Sequence, residues 1–214
     1  MLVGQTLRNR YKVLKELGSG AFGQTYLAED LDLPTHPHCV VKCLKSNLKP
    51  RIQNISKRLF EQEALKLHEL GQKCDRIPTL FAHFEQDSQF YLVQEWIEGQ
   101  TLNQEIIPGK KFDESYVRQL LQDLLEVLAI VHQHNIIHRD IKPHNLIRRS
   151  RDSHIVLIDF GAVKELSHID LNAEGETFFT IAIGTPGYMP NEQLQGKPQL
   201  CSDLYAVGIL GIQA

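Results

Sequence analysis

Alternation of apolar and polar side chains predicts a group of β-strands in the first hundred residues. Residues 11–14 alternate with the two-residue period of a half-buried strand, and residues 25–28 form a second extended segment after a glycine-rich stretch. A third apolar segment at 40–41 leads directly into Lys42, so this strand would carry one lysine in apolar surroundings. Two further strands are predicted at 79–85 and 89–94, with a turn at Asp87 and Ser88.

Residues 51–70 have the spacing of an amphipathic helix. Its apolar face would be formed by Ile55, Leu59, Leu67 and Leu70. Glu63 lies on the same face, between apolar neighbours. A carboxylate in such a position needs a cation, and Lys42 is the candidate. The alternative is that Glu63 is an edge residue of a surface helix.

Two more helices are predicted in the second half of the chain. The first begins after Asp113, a residue type that caps helix N-termini. Its apolar positions keep helical spacing at Val117, Leu120, Leu121, Leu124, Leu125, Leu128 and Val131. The second helix begins near residue 202 and is apolar nearly all round, at Leu204, Val207, Ile209, Leu210 and Ile212. Such a helix is normally buried on every side, and the chain stops inside it, so we expect the 214 residues alone to be marginally stable and aggregation-prone.

The composition is that of a globular chain, with 42% hydrophobic residues, 23% charged residues and a formal net charge of −3. This balance gives no reason to expect a nucleic-acid or anionic-membrane partner. No apolar run approaches the ~20 residues of a membrane span, and the N-terminus lacks the apolar core of a signal peptide. We therefore expect no nucleic acid and no membrane among the partners of this chain.

The cysteines and histidines give no clear sign of a metal or disulfide framework. Cys39, Cys43, Cys74 and Cys201 show no C-x-x-C spacing, and the first two lie too far apart in one strand for a disulfide. We expect all of them to be reduced and buried, which favours a cytoplasmic location. Three nearby histidines without acidic or cysteine partners are more often structural than metal ligands. These are His132, His134 and His138.

Three glycines form a G-x-G-x-x-G pattern between two predicted strands, at Gly18, Gly20 and Gly23. Glycine lets backbone N–H groups approach a phosphate without a side chain in the way. A dinucleotide-binding interpretation requires a helix after the glycines, whereas the following residues look extended. A plain glycine hairpin is the simplest alternative, and Lys42 downstream favours a phosphate-binding loop instead.

The densest candidate chemistry lies at residues 138–145, which read His-Arg-Asp-Ile-Lys-Pro-His-Asn. They provide a carboxylate at Asp140, a cation at Lys142 and an amide at Asn145. A second apolar run then leads into Asp-Phe-Gly, beginning at Asp159. Together these groups would supply a base for a hydroxyl, a cation for a phosphoryl group and oxygen ligands for magnesium. A lone His-Arg-Asp is usually a solvated turn, so the interpretation depends on the complete set.

In order and spacing these motifs resemble those of the protein kinase superfamily, over essentially residues 8–214. The resemblance implies a two-lobed α+β kinase fold, with a small nucleotide-binding lobe at 1–98 and a mainly helical catalytic lobe at 99–214. Lys142 before Pro143 matches the serine/threonine type, and the chain looks most similar to the catalytic domains of bacterial eukaryotic-like serine/threonine kinases. The implied activity is transfer of the γ-phosphoryl of ATP, with magnesium (Mg2+), to serine or threonine hydroxyls of proteins.

For catalysis, the resemblance implies that Asp140 acts on the acceptor hydroxyl together with Lys142 and Asn145. Asn145 and Asp159 would hold the metal. Asp203 would brace the backbone of the turn just before Asp140.

For ATP, the resemblance implies that Lys42, paired with Glu63, holds the α- and β-phosphates. Backbone groups of Glu95 and Ile97 would pair with adenine. The lysine motif here is Cys-Val-Val-Lys rather than Val-Ala-Ile-Lys, and Thr25 replaces a usual valine. The remaining ATP-binding positions would be Leu17, Gly18, Ser19, Gly20, Ala21, Phe22, Gly23 and Thr25.

Residues 159–192 would form the activation segment. Thr180 and then Thr177 are the expected phosphorylation sites, and Arg139 would help to bind the added phosphate. Gly-Thr-Pro around Thr185 resembles the substrate-facing loop of serine/threonine kinases. Of the family's closing Ala-Pro-Glu only Glu192 is kept, and its usual arginine partner would come from helices beyond residue 214.

Two other functions remain open from the sequence. The chain could be a kinase-like module that binds nucleotide or a partner but is inactive as this chain. It could also be a small-molecule phosphotransferase of related fold, although the long segment ending in Gly-Thr-Pro disfavours this.

Overall fold

The computed structural model describes residues 2–19, 23–44, 50–107, 109–160 and 184–214, with only the backbone described at 50–56, 58 and 59. The chain forms two compact units. The first consists of Met1–Gln72 and Pro78–Trp96, and the second of Lys73–Ile77 and Ile97–Ala214.

The first unit is an antiparallel sheet of six strands in the order β1-β2-β3-β4-β6-β5. The strands are β1 (Thr6–Leu7), β2 (Tyr11–Ser19), β3 (Gly23–Asp30), β4 (His38–Leu44), β5 (Leu80–Gln86) and β6 (Gln89–Glu95). All the predicted strands are present, and most are longer than the apolar alternation alone indicated. Tyr11, Val41 and Val93 are nearly inaccessible to solvent and form part of a shared core.

Helix α1 (Pro50–Gly71) confirms the predicted helix and packs against β4, β5 and β6. Leu67 and Leu70 are buried, as expected for its apolar face. The side chains of Ile55 and Leu59 lie outside the described residues. Within this unit burial raises the pKa of Cys39 to about 12 and that of Cys43 to about 11, so both are neutral thiols at pH 7.

The second unit combines helices with a three-stranded sheet, β7-β8-β9. Its elements are β7 (Gly99–Thr101), α2 (Leu102–Glu105), α3 (Glu114–Gln133), a 3₁₀ turn (Pro143–Asn145), β8 (Leu146–Arg149), β9 (Ile155–Leu157), α4 (Asn191–Leu194) and α5 (Leu200–Gln213). The predicted cap of α3 is confirmed, because the Asp113 carboxylate accepts a hydrogen bond of 2.8 Å from the backbone N–H of Tyr116. Helix α3 packs against α5 and β9.

Helix α5 has one buried and one exposed side. Val207 and Leu210 are buried, whereas Leu204 is 45% exposed and Ile212 is 82% exposed. Cys201, predicted to be buried, is exposed, because it lies on the solvent side of the first turn of this helix. Among the described residues no helix is both long enough and apolar enough to cross a membrane.

Candidate active site

Three of the predicted catalytic side chains meet at the carboxylate of Asp140. Asn145 Nδ2 donates a hydrogen bond of 2.8 Å to Asp140 Oδ2, and Lys142 Nζ lies 3.1 Å from the same oxygen. The other oxygen, Oδ1, accepts a hydrogen bond of 3.0 Å from the hydroxyl of Thr185. Lys142 Nζ also donates to this hydroxyl at 2.9 Å, which closes a ring of Asp140, Lys142 and Thr185. The carboxylate is therefore held between an amide, a cation and a hydroxyl.

The contact between Thr185 and Asp140 was not predicted, although the sequence singled out both residues. They lie 45 positions apart, and the chain between them includes residues outside the described part. The Gly-Thr-Pro pattern indicated only a substrate-facing loop. The geometry places its threonine directly on the candidate base.

The proposed metal ligands, Asn145 and Asp159, lie on two segments that are connected by a backbone hydrogen bond. The N–H of Ile158, next to Asp159, donates to the carbonyl oxygen of Asn145 at 3.0 Å. Asn145 uses its Nδ2 for Asp140, both at Oδ2 and at the backbone carbonyl at 2.9 Å. Its amide oxygen is therefore the atom left to bind a cation. An amide oxygen and the carboxylate of Asp159 are hard ligands, as Mg2+ prefers.

The described residues contain no group of three or more His, Cys, Asp or Glu that could hold a metal ion by itself. Each of the three histidines contacts another group of the chain, and His132 has an acidic partner that its sequence neighbours did not indicate. His132 contacts Asp203, His134 contacts the carbonyl of Ile130, and His138 contacts the carbonyl of Ile158.

The turn that leads into Asp140 is held by a buried carboxylate from α5, as expected. Asp203 Oδ2 accepts from the backbone N–H of His138 at 2.9 Å, and Oδ1 accepts from that of Arg139 at 2.8 Å. Burial alone would raise the pKa of Asp203, but contact with His132 and the two backbone hydrogen bonds hold it below its usual value. The bracing is needed because Arg139 has φ = 67°, a left-handed conformation that is unfavourable for a non-glycine residue.

His138 connects this turn to the Asp-Phe-Gly segment. Its Nε2 lies 3.1 Å from the carbonyl oxygen of Ile158, and its ring meets that of Phe160 edge-on at 5.0 Å between centroids. Asp159 lies between these two contacts and has φ = 62°. The position of Asp159 is thus set by the same turn that positions Asp140.

In the first unit, the predicted pairing of Lys42 with Glu63 is present. Lys42 Nζ lies 2.6 Å from Glu63 Oε1, and the side chains are 16% and 4% exposed. Lys42 comes from β4 and Glu63 from α1, so the ion pair ties the helix to the sheet. A buried glutamate on the apolar side of a helix is tolerated because this cation compensates its charge.

The glycine-rich stretch lies at a strand hairpin, which excludes the dinucleotide-binding alternative. Gly18 is opposite Thr25 in the register of β2 and β3, and β3 begins at Gly23 where that alternative needed a helix. A side chain at Gly23 would come within 3.0 Å of the carbonyl oxygen of Cys43. Thr25 also lies opposite Lys42 across β3 and β4, so these two predicted ATP-binding residues are neighbours. Gly20, Ala21 and Phe22 lie outside the described residues.

Other predicted ATP-binding residues are placed as follows. Leu17 and Ser19 lie on the exposed end of β2. Glu95, at the end of β6, pairs with Thr79 through backbone and side-chain hydrogen bonds of 2.9 and 3.2 Å. Ile97 belongs to the second unit and is buried.

Of the predicted activation segment, residues 161–183 lie outside the described part, including Thr177 and Thr180. Glu192, expected to lack its partner, accepts a hydrogen bond of 2.8 Å from the hydroxyl of Ser202. Gln193 was not predicted; it is buried and donates to the carbonyl of Arg139 at 2.7 Å. No local signal marks it, because a glutamine in a short helix is usually solvated.

Comparison with known proteins shows the family to which this chain is similar. Residues 11–214 match the family described as protein kinase domain. The chain is 49% identical to serine/threonine-protein kinase PknA of Nostoc sp., over 97% of this chain and 37% of that protein. It is 45% identical to serine/threonine-protein kinase C of Synechocystis sp., over 96% of this chain and 39% of that protein, so it spans less than half of these relatives. The chain belongs to the protein kinase domain family, with a two-lobed kinase fold.

Proposed function

We propose that this chain is the catalytic domain of a serine/threonine protein kinase that transfers the γ-phosphoryl of Mg-ATP to protein hydroxyls. The observation that carries the proposal is the hydrogen bond from the Thr185 hydroxyl to Asp140, with Lys142 beside both groups. This hydrogen bond supports a role for the Asp140 carboxylate in accepting a hydrogen bond from a serine or threonine hydroxyl. A cation within reach of the same hydroxyl suits a phosphoryl group arriving there.

In this proposal Asp140 orients the acceptor hydroxyl and takes its proton as transfer proceeds. Lys142 offsets negative charge on the transferred phosphoryl group. Protein kinases in general use ATP and a divalent metal; here the proposed metal is Mg2+, which would neutralise phosphate charge and be held by Asn145 and Asp159. The other role of Asn145 is to fix Asp140 through its amide nitrogen.

We assign nucleotide binding to residues 1–98 and catalysis to residues 99–214. Lys42, held by Glu63, would bind the α- and β-phosphates together with the glycine-rich stretch. Glu95 and Ile97 would present backbone groups to adenine. These roles and the boundary at residue 98 are predictions from the family resemblance.

Replacing Lys42 with alanine should weaken ATP binding and slow transfer together. A charge-assisted hydrogen bond contributes about 1.5–3 kcal/mol, so each effect should be roughly tenfold to a hundredfold. Nucleotide affinity and single-turnover rate measure the two effects, and a thermal melt reports the cost of leaving Glu63 without its cation. Lys12→Ala, at an exposed lysine of β2, is the matched control. Unchanged ATP affinity in Lys42→Ala would contradict its assignment.

A transfer assay with radiolabelled ATP, with and without a generic acceptor such as myelin basic protein, tests the proposed function. Label on protein supports the kinase. Nucleotide binding without transfer supports the inactive binding module, and label on a small hydroxylated acceptor alone supports the small-molecule phosphotransferase.

Phosphorylation of the activation segment remains a prediction, because Thr180 and Thr177 lie outside the described residues. A phosphate there would be attracted to Arg139, beside the candidate base. Phosphopeptide mapping after incubation with Mg-ATP should find Thr180 first. Unchanged activity in the double variant Thr177→Ala, Thr180→Ala would show that the segment is not switched in this way.

We also propose the partners of this chain other than ATP. Serine- or threonine-containing proteins are the expected substrates, and the net charge of −3 gives no basis for nucleic-acid binding. A cytoplasmic location stays a prediction that rests on the expected reduced cysteines. Cell fractionation with an antibody against this chain would test it.

A further inference from the structure

Gln193 holds the peptide group that joins Arg139 to Asp140. It lies in α4, directly after Glu192, and its Nε2 donates to the Arg139 carbonyl oxygen at 2.7 Å. The side chain is only 7% exposed, so water does not readily replace this hydrogen bond. Because that carbonyl belongs to the peptide bond leading into Asp140, its orientation helps set where the carboxylate points.

The hydrogen bond from Gln193 completes a continuous set of restraints on the backbone at this point. The two preceding peptide groups are held at the N–H of His138 and of Arg139 by Asp203. The following group is held at the carbonyl of Asp140 by Asn145. Successive peptide groups on both sides of Arg139 are thus fixed by side chains, two of them, Asp203 and Gln193, from distant parts of the chain. The restraint is needed because Arg139 has φ = 67°, which the backbone would otherwise tend to leave.

The amide of Gln193 also lies against the loop that carries Thr185. A side-chain carbon added at Gly184 would lie 2.8 Å from Gln193 Nε2 and 2.2 Å from Met189 Sδ. A side chain at Gly184 would displace Met189 and Gln193, and the φ of 143° at Gly184 is unfavourable for residues other than glycine. Gln193 therefore contacts the backbone of the candidate base and lies next to the loop whose threonine binds that base. Helix α4 is itself tied to α5 by the hydrogen bond between Glu192 and Ser202.

We propose that Gln193 is a positioning residue for phosphoryl transfer, which orients Asp140 through the Arg139 carbonyl and keeps it aligned with the Thr185 loop. This inference rests on the proposed kinase activity. It assigns to Gln193 no contact with substrate or nucleotide. Its effect should therefore appear in the rate of the chemical step rather than in nucleotide binding.

The test uses Gln193→Met, which keeps an unbranched side chain of similar length but removes the donor. Gln195→Met, at an exposed glutamine at the end of the same short helix, is the matched control. With myelin basic protein as acceptor, kcat of Gln193→Met should fall by about tenfold to a hundredfold, as expected for a small misplacement of a catalytic group. KM for ATP should stay close to that of the control, whereas the melting temperature should fall by about a few degrees, because the Arg139 carbonyl loses its buried donor. An unchanged kcat, or a loss that only follows the loss of folded protein, would overturn the proposal.

A second variant, Gln193→Glu, separates positioning from packing. Its carboxylate would repel the Arg139 carbonyl at neutral pH, whereas the protonated acid could donate to it. The kcat of Gln193→Glu relative to wild type should therefore rise as the pH is lowered. A constant ratio would count against the hydrogen bond as the source of the effect.

Hydrogen exchange keeps the proposal testable without activity. If the wild-type chain transfers no phosphate, the proposed function fails, but the amides of His138 and Arg139 should still exchange faster in Gln193→Met than in Gln195→Met. Equal exchange in both variants would show that Gln193 does not hold this turn.

Discussion

Replacing Asp140 with asparagine should abolish phosphoryl transfer while leaving ATP binding close to normal. The substitution keeps the volume of the side chain but removes the charge and one of the two oxygens that Asn145, Lys142 and Thr185 now contact. The new amide group would face either the Asn145 amide or the Thr185 hydroxyl and cannot accept a proton. General base assistance typically contributes about 10²–10⁴ in rate, so at least this loss is expected.

The contrast between rate and binding is the informative measurement for this variant. ATP affinity by equilibrium titration and single-turnover transfer should be measured on the same preparation. Asp87→Asn, in the exposed turn between β5 and β6, is a matched carboxylate-to-amide control that should keep full activity. Asparagine also tolerates the positive φ of that turn. Full transfer activity in Asp140→Asn would remove Asp140 from the proposed mechanism.

The pairing of Lys42 with Glu63 could be predicted because burial makes each charge costly alone. Lys42 sits in an apolar strand and Glu63 on the apolar side of a helix, so each needs a partner and each is the other's candidate. The two residues can be paired in this way without knowing how the helix meets the sheet. The spacing of apolar residues predicted α1, α3 and most strands of the first unit, although their ends differ by a few residues.

The contacts around Asp140 could be predicted only in part. Asp203 was expected from the family resemblance, and its bonds to His138 and Arg139 are present. Thr185 and Gln193 reach the catalytic turn across 45 and 54 positions of sequence. Neither residue belongs to a periodic apolar pattern or carries a charge that would require a partner. Polar residues in loops and short helices are ordinarily solvated. Their roles depend on the path of the intervening chain, which local patterns do not specify.

Removing Asp203 should have the largest effect on stability of any single change near the site. The carboxylate is 1% exposed and accepts from the backbone N–H groups of His138 and Arg139. Asp203→Ala leaves both donors buried without an acceptor and releases the left-handed turn. Breaking such a buried arrangement costs about 3–5 kcal/mol, against about 5–15 kcal/mol for a whole domain. Transfer activity should fall with it, because Asp140 follows the released turn.

The pH dependence of unfolding provides an independent check on Asp203. Because the folded-state pKa of Asp203 lies below its usual value, its contribution is complete above the unfolded-state pKa of about 3.9 and is lost as the pH falls through the folded-state pKa. The stability difference between wild type and Asp203→Ala should therefore be largest near neutral pH and shrink in acid. Glu114→Ala, at a carboxylate side chain 84% exposed in the first turn of α3, should cost below about 1 kcal/mol. Denaturant unfolding across this pH range measures the difference, and a gap that stays constant into acid would show that the charge of Asp203 does not stabilise the turn.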